Sequence, residues 1–294
     1  MQRLIYENLA GEQLVMGGEG PYVLASVSGL GPTEAELISL RGARQNGATL
    51  RSATRLERYV KARLSIWGAQ SRGEMYRARQ AMARLLAMQR CFDAQSGAQG
   101  RLIYENDAGR YWTYAVPEAC ATDGTRWANA LDGVTVTFCC QSPYWNEFAR
   151  STLVMCMSET GFTLPFTLPV QLGRTEFSAE CDNAGTIDAP VCIKVEGSGE
   201  MPEILNETTG AALRIERAIE SGERLVIETD PDALNVTIEH ADGTVESAFG
   251  YLDAQCAMSA FALAPGRNVL RYVPGETAQH TRVTLQWQTR HEGV

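Results

Sequence analysis

The chain has 294 residues, 45% of them hydrophobic, and a formal net charge of −9. This length suffices for one large domain or two ordinary ones, and the acidic balance argues against a general nucleic-acid-binding protein. Residues 1–150 carry 17 basic against 14 acidic side chains, a net +3, whereas residues 151–294 carry 9 against 21, a net −12. A charge step of this size predicts two domains with different neighbours.

Export and membrane signals are absent from the sequence. Residues 1–8 become polar too early for a signal peptide, and no apolar run is long enough to span a bilayer. The 8 cysteines and 3 histidines lack the Cys-x-x-Cys spacing of a zinc site. We therefore expect a protein made in the cytoplasm, with free buried thiols and without metal or cofactor.

Short strands open the chain and lead to a longer alternating segment. Residues 4–6 and 22–24 are predicted strands, followed by turns at 8–11 and 29–32. Between residues 56 and 66, apolar side chains recur with period two, which predicts a half-buried strand. The apolar face is Leu56, Val60, Ala62, Leu64 and Ile66, and the polar face is Glu57, Lys61, Arg63 and Ser65.

One amphipathic helix is predicted over residues 74–90. Its apolar side chains recur at steps of three and four residues and are Met75, Ala78, Met82, Leu85 and Leu86. Arg77, Arg79 and Arg84 occupy the other sides. Methionines at this spacing indicate a stripe packed on the core rather than a groove that accepts many partners.

A hairpin and a repeated segment follow. Residues 102–104, a turn at 106–109 and residues 111–116 predict a β-hairpin, and residues 134–138 predict another strand. Segment 101–109 repeats segment 3–11 at eight of nine positions. The repeat is explained by a duplicated structural unit or by two hairpins with the same Asn and Gly turn chemistry. We favour the second explanation because the flanks do not repeat.

The second half of the chain consists of short strands separated by turns. Residues 146–180 form a joint in which Pro165 and Pro169 interrupt an alternating segment. The alternating segments that follow, the last of them at 283–287, predict an antiparallel β-sandwich. We expect a mainly β protein with two domains: 1–150 as an N-terminal β-barrel or sandwich-like domain with one helix, 151–172 as a connector, and 173–294 as the C-terminal sandwich.

Catalytic motifs are not apparent. The sequence contains no nucleophile elbow, zinc-protease helix or phosphate-binding loop. His240, His280 and His291 are expected near the surface. Asn206 and Asn235 each begin a sequence that matches an N-glycosylation acceptor, and we expect both to be ordinary turn and strand residues. We therefore expect no catalytic residues and no enzymatic activity.

The basic window of residues 41–90 is the sharpest electrostatic feature, with 12 basic side chains against Glu57 and Glu74. It could meet an acidic surface of another subunit, form a solvated face, or contact nucleic acid. We rank these interpretations in that order. The helix residues Arg77, Arg79 and Arg84 are the candidate subunit-interface residues.

The order of these segments resembles that of the distal tail proteins of long-tailed bacteriophages and prophages. The N-terminal motifs are residues 29–30, Asn46-Gly47, the strand 56–67, the helix 74–90, the turn 106–109 and residues 143–145. The C-terminal motifs are residues 183–190, 191–197, 206–210, 264–268 and 283–287.

This resemblance implies a structural virion protein without catalytic residues, located at the phage tail tip. It implies a hexameric ring at the distal end of the tail tube, closed by the N-terminal domain, with a galectin-like sandwich projecting outward. The implied partners are the tail tube protein and tail-tip or baseplate proteins. No membrane or nucleic-acid partner is expected.

A carbohydrate-binding, lectin-like module is the alternative function. A sandwich fold alone does not decide between the two, because sandwiches support many functions. Tyr251, Tyr272 and Trp287 would be the candidate sugar-stacking side chains, although Trp287 alternates as a core residue.

Overall fold

The computed structural model of the protein describes residues 2–122, 124–127, 129–156, 177–199, 201–273 and 279–294. Contacts divide the chain into two compact units: Met1–Phe148 with His291–Val294, and Ala149–Arg290. Residues 151–156, expected in the connector, continue a strand into the second unit. The rest of that connector, with Pro165 and Pro169, lies outside the described residues. Within the described ranges, no helix has the length and apolar character needed to cross a membrane.

Strands dominate the N-terminal unit. They are β1 Arg3–Glu7, β2 Gln13–Met16, β3 Tyr22–Ser28, β4 Ala35–Leu40, β5 Thr49–Arg55, β6 Arg58–Ile66, β7 Gly100–Glu105, β8 Arg110–Ala121, β9 Thr125–Arg126, β10 Leu131–Cys140 and β11 Trp145–Cys156. The helices are α1 Arg72–Leu85 and α2 Met88–Cys91.

Strand β8 takes part in two sheets of this unit. Its first half pairs with β7 in a sheet of order β2-β1-β7-β8-β11, and its second half pairs with β10 in a sheet of order β8-β10-β6-β3. The β8–β10 register shifts between Thr137 and Phe138, and Phe138 lies opposite Pro117. A bulge next to a proline bends a strand locally, which suits β8 to serve both sheets.

The predicted strand over 56–66 is confirmed in its alternation but not at its start. Val60, Ala62, Leu64 and Ile66 are fully buried in the core of the N-terminal unit, as period two predicts. Leu56 lies before β6 and is 38% exposed, so its assignment to the buried face is wrong. The strand begins only at residue 58, after the β4–β5 hairpin has ended.

The predicted helix over 74–90 is shorter and starts earlier. Helix α1 begins after Ser71, whose hydroxyl oxygen accepts the Glu74 N–H at 3.2 Å as an N-cap. Residue 87 is extended, so residues 88–91 form the separate one-turn helix α2. Met75 and Met82 are buried in the core, which confirms the packed stripe.

The repeated segments pair with each other. Strands β1 and β7 are antiparallel neighbours with Ile5 opposite Ile103, Arg3 opposite Glu105 and Glu7 opposite Arg101. Each segment also opens a hairpin, β1–β2 and β7–β8. The shared turn chemistry that we favoured is present, because side chains of Asn8 and Asn106 accept backbone N–H groups of the following turns. The mutual pairing was not predicted.

The C-terminal unit is an antiparallel β-sandwich, and the mainly β fold is confirmed. Its strands are β12 Phe177–Asn183, β13 Ala189–Ser198, β14 Glu203–Asn206, β15 Ala211–Arg214, β16 Arg224–Glu228, β17 Asn235–Glu239, β18 Val245–Ser247, β19 Ala262–Leu263, β20 Gly266–Val273 and β21 Gln279–His291. One sheet has the order β18-β17-β16-β13-β21-β11, and the other has the order β12-β20-β14-β15.

Three buried asparagines hold the turns of this sandwich. Asn183 donates to the carbonyl oxygens of residues 187 and 263, both at 2.9 Å. Asn206 donates to the carbonyl of residue 262 at 2.9 Å, and Asn268 donates to those of residues 264 and 266 at 2.7 and 2.9 Å. All three are at most 1% exposed. They stand in the sequence motifs 183–190, 206–210 and 264–268, so these motifs mark turn-holding side chains. Asn206 is also inaccessible to glycosylation.

Candidate interaction surfaces

Two of the three candidate helix arginines point away from the core. With about 100° of rotation per residue, Arg77 and Arg84 lie about 160–180° around α1 from Met75. Both are exposed. Arg79 lies only about 40° from Met75 and is half-buried, so its placement on the outward side is wrong. An interface on this helix would therefore use Arg77 and Arg84.

Arg84 is engaged within its own unit. Its guanidinium contacts Glu12 Oε1 at 3.2 Å, and Arg90 contacts Glu12 Oε2 at 2.6 Å. The side-chain hydrogen bond from Asn8, together with both arginines, lowers the pKa of the Glu12 carboxyl. The pair couples the end of α1 to the turn between β1 and β2, and Arg77 is the more available cation of the two candidates.

The basic window does not form one continuous basic surface. Arg58 is 1% exposed, and Arg55 makes a two-point ion pair with Glu292, both oxygens at 3.0 Å. Arg84 and Arg90 share Glu12. A nucleic-acid groove needs cations free to meet phosphates, and several of the predicted ones are neutralised or buried. This distribution favours the interface and solvated-face interpretations.

Arg58 occupies a cage of main-chain carbonyl groups. Its Nη1 donates to the carbonyl oxygens of residues 29 and 31 at 2.5 and 2.6 Å, and its Nη2 donates to those of residues 143 and 292 at 2.5 and 2.6 Å. The guanidinium also lies 5.4 Å from the centre of the Trp145 ring. Burial lowers its pKa from the ordinary value. The residue fastens two loops and the C-terminal residues 291–294 to the start of β6.

The β4–β5 hairpin was not predicted and is the most exposed element of the N-terminal unit. Every residue of β4 is exposed, and six of the seven residues of β5 are exposed. Its exposed large apolar side chains are Leu37 at 61%, Ile38 at 53%, Leu40 at 55% and Leu50 at 55%. Arg41, Arg44 and Arg51 are also exposed. The hairpin thus combines aliphatic and cationic side chains on a protruding arm.

A cleft with a volume of about 610 Å³ lies at the base of this hairpin. Its wall includes Leu56 and Tyr59, which are 38% and 41% exposed. Glu34, Glu57 and Glu118 provide three exposed carboxylates against the one ammonium of Lys61. Arg58 also lines the cleft, but its guanidinium is occupied by the carbonyl cage. The cleft therefore carries three carboxylates against the two cations Lys61 and Arg58, with Arg58 turned into the carbonyl cage, and it has a partly apolar wall.

The histidine side chains that the structure describes contact carboxylates. His240 Nδ1 lies 2.9 Å from Glu223 Oε1, and His291 Nε2 lies 2.8 Å from Glu147 Oε1. Arg217 contacts the same Glu223 oxygen at 3.2 Å, so this carboxylate is already satisfied. The side chain of His280 is outside the described atoms. Among the described residues, no group of three or more His, Cys, Asp or Glu side chains is placed to hold a metal ion.

The described cysteines are free thiols. The expectation of buried thiols is met by Cys91 and Cys140, and burial raises the pKa of the Cys140 thiol to about 12. Cys120 is exposed, so the expectation is wrong for that residue. A thiol with a raised pKa stays protonated and is a poor nucleophile.

The candidate sugar-stacking aromatics are not available as an exposed platform. Tyr272 and Trp287 are 1% and 6% exposed and belong to the core of the C-terminal unit. Tyr251 is half-buried, and the Arg217 guanidinium lies 5.2 Å from the centre of its ring. Stacking on a sugar ring needs an open aromatic face, so these residues do not support the lectin alternative.

Comparison with protein families identifies the C-terminal part of the chain. Residues 184–291 match the family described as siphovirus-type tail component, C-terminal domain. The matched range runs through the sandwich strands β13 to β21 and includes the buried Asn206 and Asn268. No curated protein matches the chain.

One solved structure of a phage tail protein shares the fold of the chain. The Dit protein of phage SPP1, described as a paradigm of the hub adsorption apparatus in phages infecting Gram-positive bacteria, aligns over 99% of both chains with a TM-score of 0.67 and 13% identity. Two baseplate structures of phage p2, with strontium and with calcium, align at 11% and 12% identity with TM-scores of 0.49 and 0.47, over 97% of this chain and 98% of theirs. With the family match, the SPP1 likeness confirms the resemblance to distal tail proteins.

Proposed function

We propose that this chain is the hub protein at the distal end of a phage tail tube, where it assembles into a hexameric ring and carries tail-tip or baseplate proteins. The observation that carries the proposal is the SPP1 Dit fold along 99% of the chain, together with the siphovirus tail-component match over 184–291. In this arrangement the N-terminal unit closes the ring and the sandwich projects outward. The protein acts as a scaffold without enzymatic activity.

Two measurements test this function. A gold-labelled C-terminal tag on the chain should mark the tail tip in electron micrographs of particles from a strain that carries the gene. Native mass spectrometry of the purified chain, alone and with the tail tube protein of the same phage, should give a species of six subunits of 32.1 kDa each. Label on the head, or along the tube, would contradict the proposed location.

The helix arginines are proposed subunit contacts. Replacing Arg77 and Arg84 together by glutamate should reduce the hexamer fraction several-fold, because charge reversal at an interface introduces repulsion. Stability of the isolated subunit should fall by about 1 kcal/mol or less, since these are exposed charges. Native mass spectrometry and thermal melting of the same samples measure the two effects separately.

The double charge reversal also breaks the ion pair between Arg84 and Glu12, so it needs a matched control. Arg84→Gln removes the ion pair with Glu12 without reversing charge, so it reports any effect of loosening the β1–β2 turn. Arg79 is left unchanged because it flanks the buried Met75 side of α1. An unaltered hexamer fraction at low salt would show that this helix face is only solvated.

A further inference from the structure

The β4–β5 hairpin needs a covering surface that its own unit does not supply. The four aliphatic side chains Leu37, Ile38, Leu40 and Leu50 are each more than half exposed. A two-stranded hairpin is marginally stable by itself in water, and burial of its aliphatic side chains would stabilise it. Such an arm is stabilised when a second surface covers it.

Charge identifies the surface that fits the hairpin. Residues 35–55 carry four arginines and Glu36 as their only carboxylate, a net +3. Arg55 forms an ion pair with Glu292 at the base of the hairpin. The other three arginines, Arg41, Arg44 and Arg51, lie toward its far end. The acidic cleft presents the exposed carboxylates Glu34, Glu57 and Glu118, which outnumber the exposed Lys61, beside the apolar side chains of Leu56 and Tyr59. Both the charged and the apolar parts of the two surfaces therefore match.

The hairpin cannot fill the cleft of its own chain. Its base is fixed by the Arg55–Glu292 pair and by a backbone hydrogen bond of 3.0 Å from the N–H of residue 56 to the carbonyl of residue 34. Those residues adjoin the cleft, whereas the six residues of β4 extend the arm by about 20 Å at 3.3 Å per residue. The arginine-bearing end is thus held away from the cleft beside its base.

We infer that the β4–β5 hairpin of one copy docks in the acidic cleft of the next copy. This inference rests on the proposed ring function and adds two surfaces to the subunit contact, beside the helix residues Arg77 and Arg84. Hairpin and cleft are different patches on the same chain, so the contact is heterologous, and a heterologous contact closes a ring when the rotation between copies permits. The N-terminal unit contributes both patches.

Paired charge reversals test the contact. The hairpin variant is Arg44→Glu with Arg51→Glu, and the cleft variant is Glu57→Lys with Glu118→Lys; all four residues are exposed, and these changes leave the carbonyl cage of Arg58 intact. Each variant alone should lose the ring. A chain carrying all four changes should regain it, because every contact again joins opposite charges. An equimolar mixture of the two variants should also form rings with alternating copies, as a six-membered ring permits.

Controls and outcomes separate this inference from the ring proposal. Arg267→Glu with Arg282→Glu reverses two exposed charges on the C-terminal unit and should leave the ring unchanged. If wild type forms a ring and neither paired variant changes it, the hairpin–cleft contact is wrong and the ring proposal stands. If both variants lose the ring but the fourfold variant does not regain it, the pairing of these two patches is wrong. A wild-type chain that stays monomeric, even with the tail tube protein, overturns both proposals.

Discussion

Replacing Arg58 by methionine is expected to lower the free energy of unfolding of the N-terminal unit by about 3–5 kcal/mol, because several carbonyl acceptors lose their donors at once. Methionine fills similar volume but leaves the carbonyl oxygens of residues 29, 31, 143 and 292 without the donors they now have. An acceptor that stays out of reach of water costs about 1–3 kcal/mol when it is left unpaired, and those at the exposed residues 29 and 31 cost less. Denaturant titration, followed by hydrogen exchange at the β6 amides, measures the loss in this unit.

Two controls locate the cause of that loss. Arg58→Lys keeps the charge but offers one ammonium with three donors, which cannot reproduce the planar fork that reaches four carbonyl groups, so most of the loss should remain. Arg55→Met removes the half-buried pair with Glu292 and should cost about 1 kcal/mol. If Arg58→Met cost no more than Arg55→Met, the carbonyl cage would not be a stabilising element.

Replacing Asn268 by aspartate is expected to destabilise the C-terminal sandwich by about 3 kcal/mol or more at pH 7, since it places an unpaired charge in a fully buried site. The amide nitrogen that donates to the carbonyls of residues 264 and 266 becomes a carboxylate oxygen facing them. Burial and these two acceptors favour the protonated acid, so the folded-state pKa rises above about 3.9, its unfolded value.

The sign of the pH dependence follows from that shift. Below the unfolded pKa both states are protonated and the penalty is small; as pH rises toward the folded pKa, the penalty grows and then levels off. Melting temperatures at pH 4 and pH 7 should therefore diverge further from wild type at the higher pH. Asn268→Ala should lose stability without this dependence, and Asn235→Asp, at an exposed position, should change little at either pH. Equal deficits for Asn268→Asp at the two pH values would refute the assignment of a donor role to this amide.

Periodicity predicted the elements whose side chains divide between core and solvent. The alternation from Val60 to Ile66 and the Met75–Met82 stripe both correspond to buried faces, because burial selects apolar residues at the spacing of the backbone geometry. Periodicity did not predict the β4–β5 hairpin, because both of its faces are exposed. A strand without a buried face leaves no alternating pattern in the sequence.

Individual arginines were harder to place than whole elements. Arg58 stands at the start of an amphipathic strand and was counted with the basic window, yet it is fully enclosed. Its partners in the cage are backbone carbonyl groups. Every residue carries one, so the sequence does not show which of them will bind Arg58. Arg79 was misplaced because a helix position about 40° from the buried Met75 lies at the edge of the stripe, where a long polar side chain can be half-buried.

The paired repeats encode the direction in which they associate. Residues 3–7 in β1 and residues 101–105 in β7 each begin with an arginine and end with a glutamate. Both segments have isoleucine at the centre. Antiparallel alignment brings Arg3 opposite Glu105 and Glu7 opposite Arg101. A parallel alignment would set Arg against Arg and Glu against Glu, and like charges directly opposite are destabilising. The repeated five-residue sequence therefore specifies both the strand with which it pairs and the antiparallel direction of that pairing.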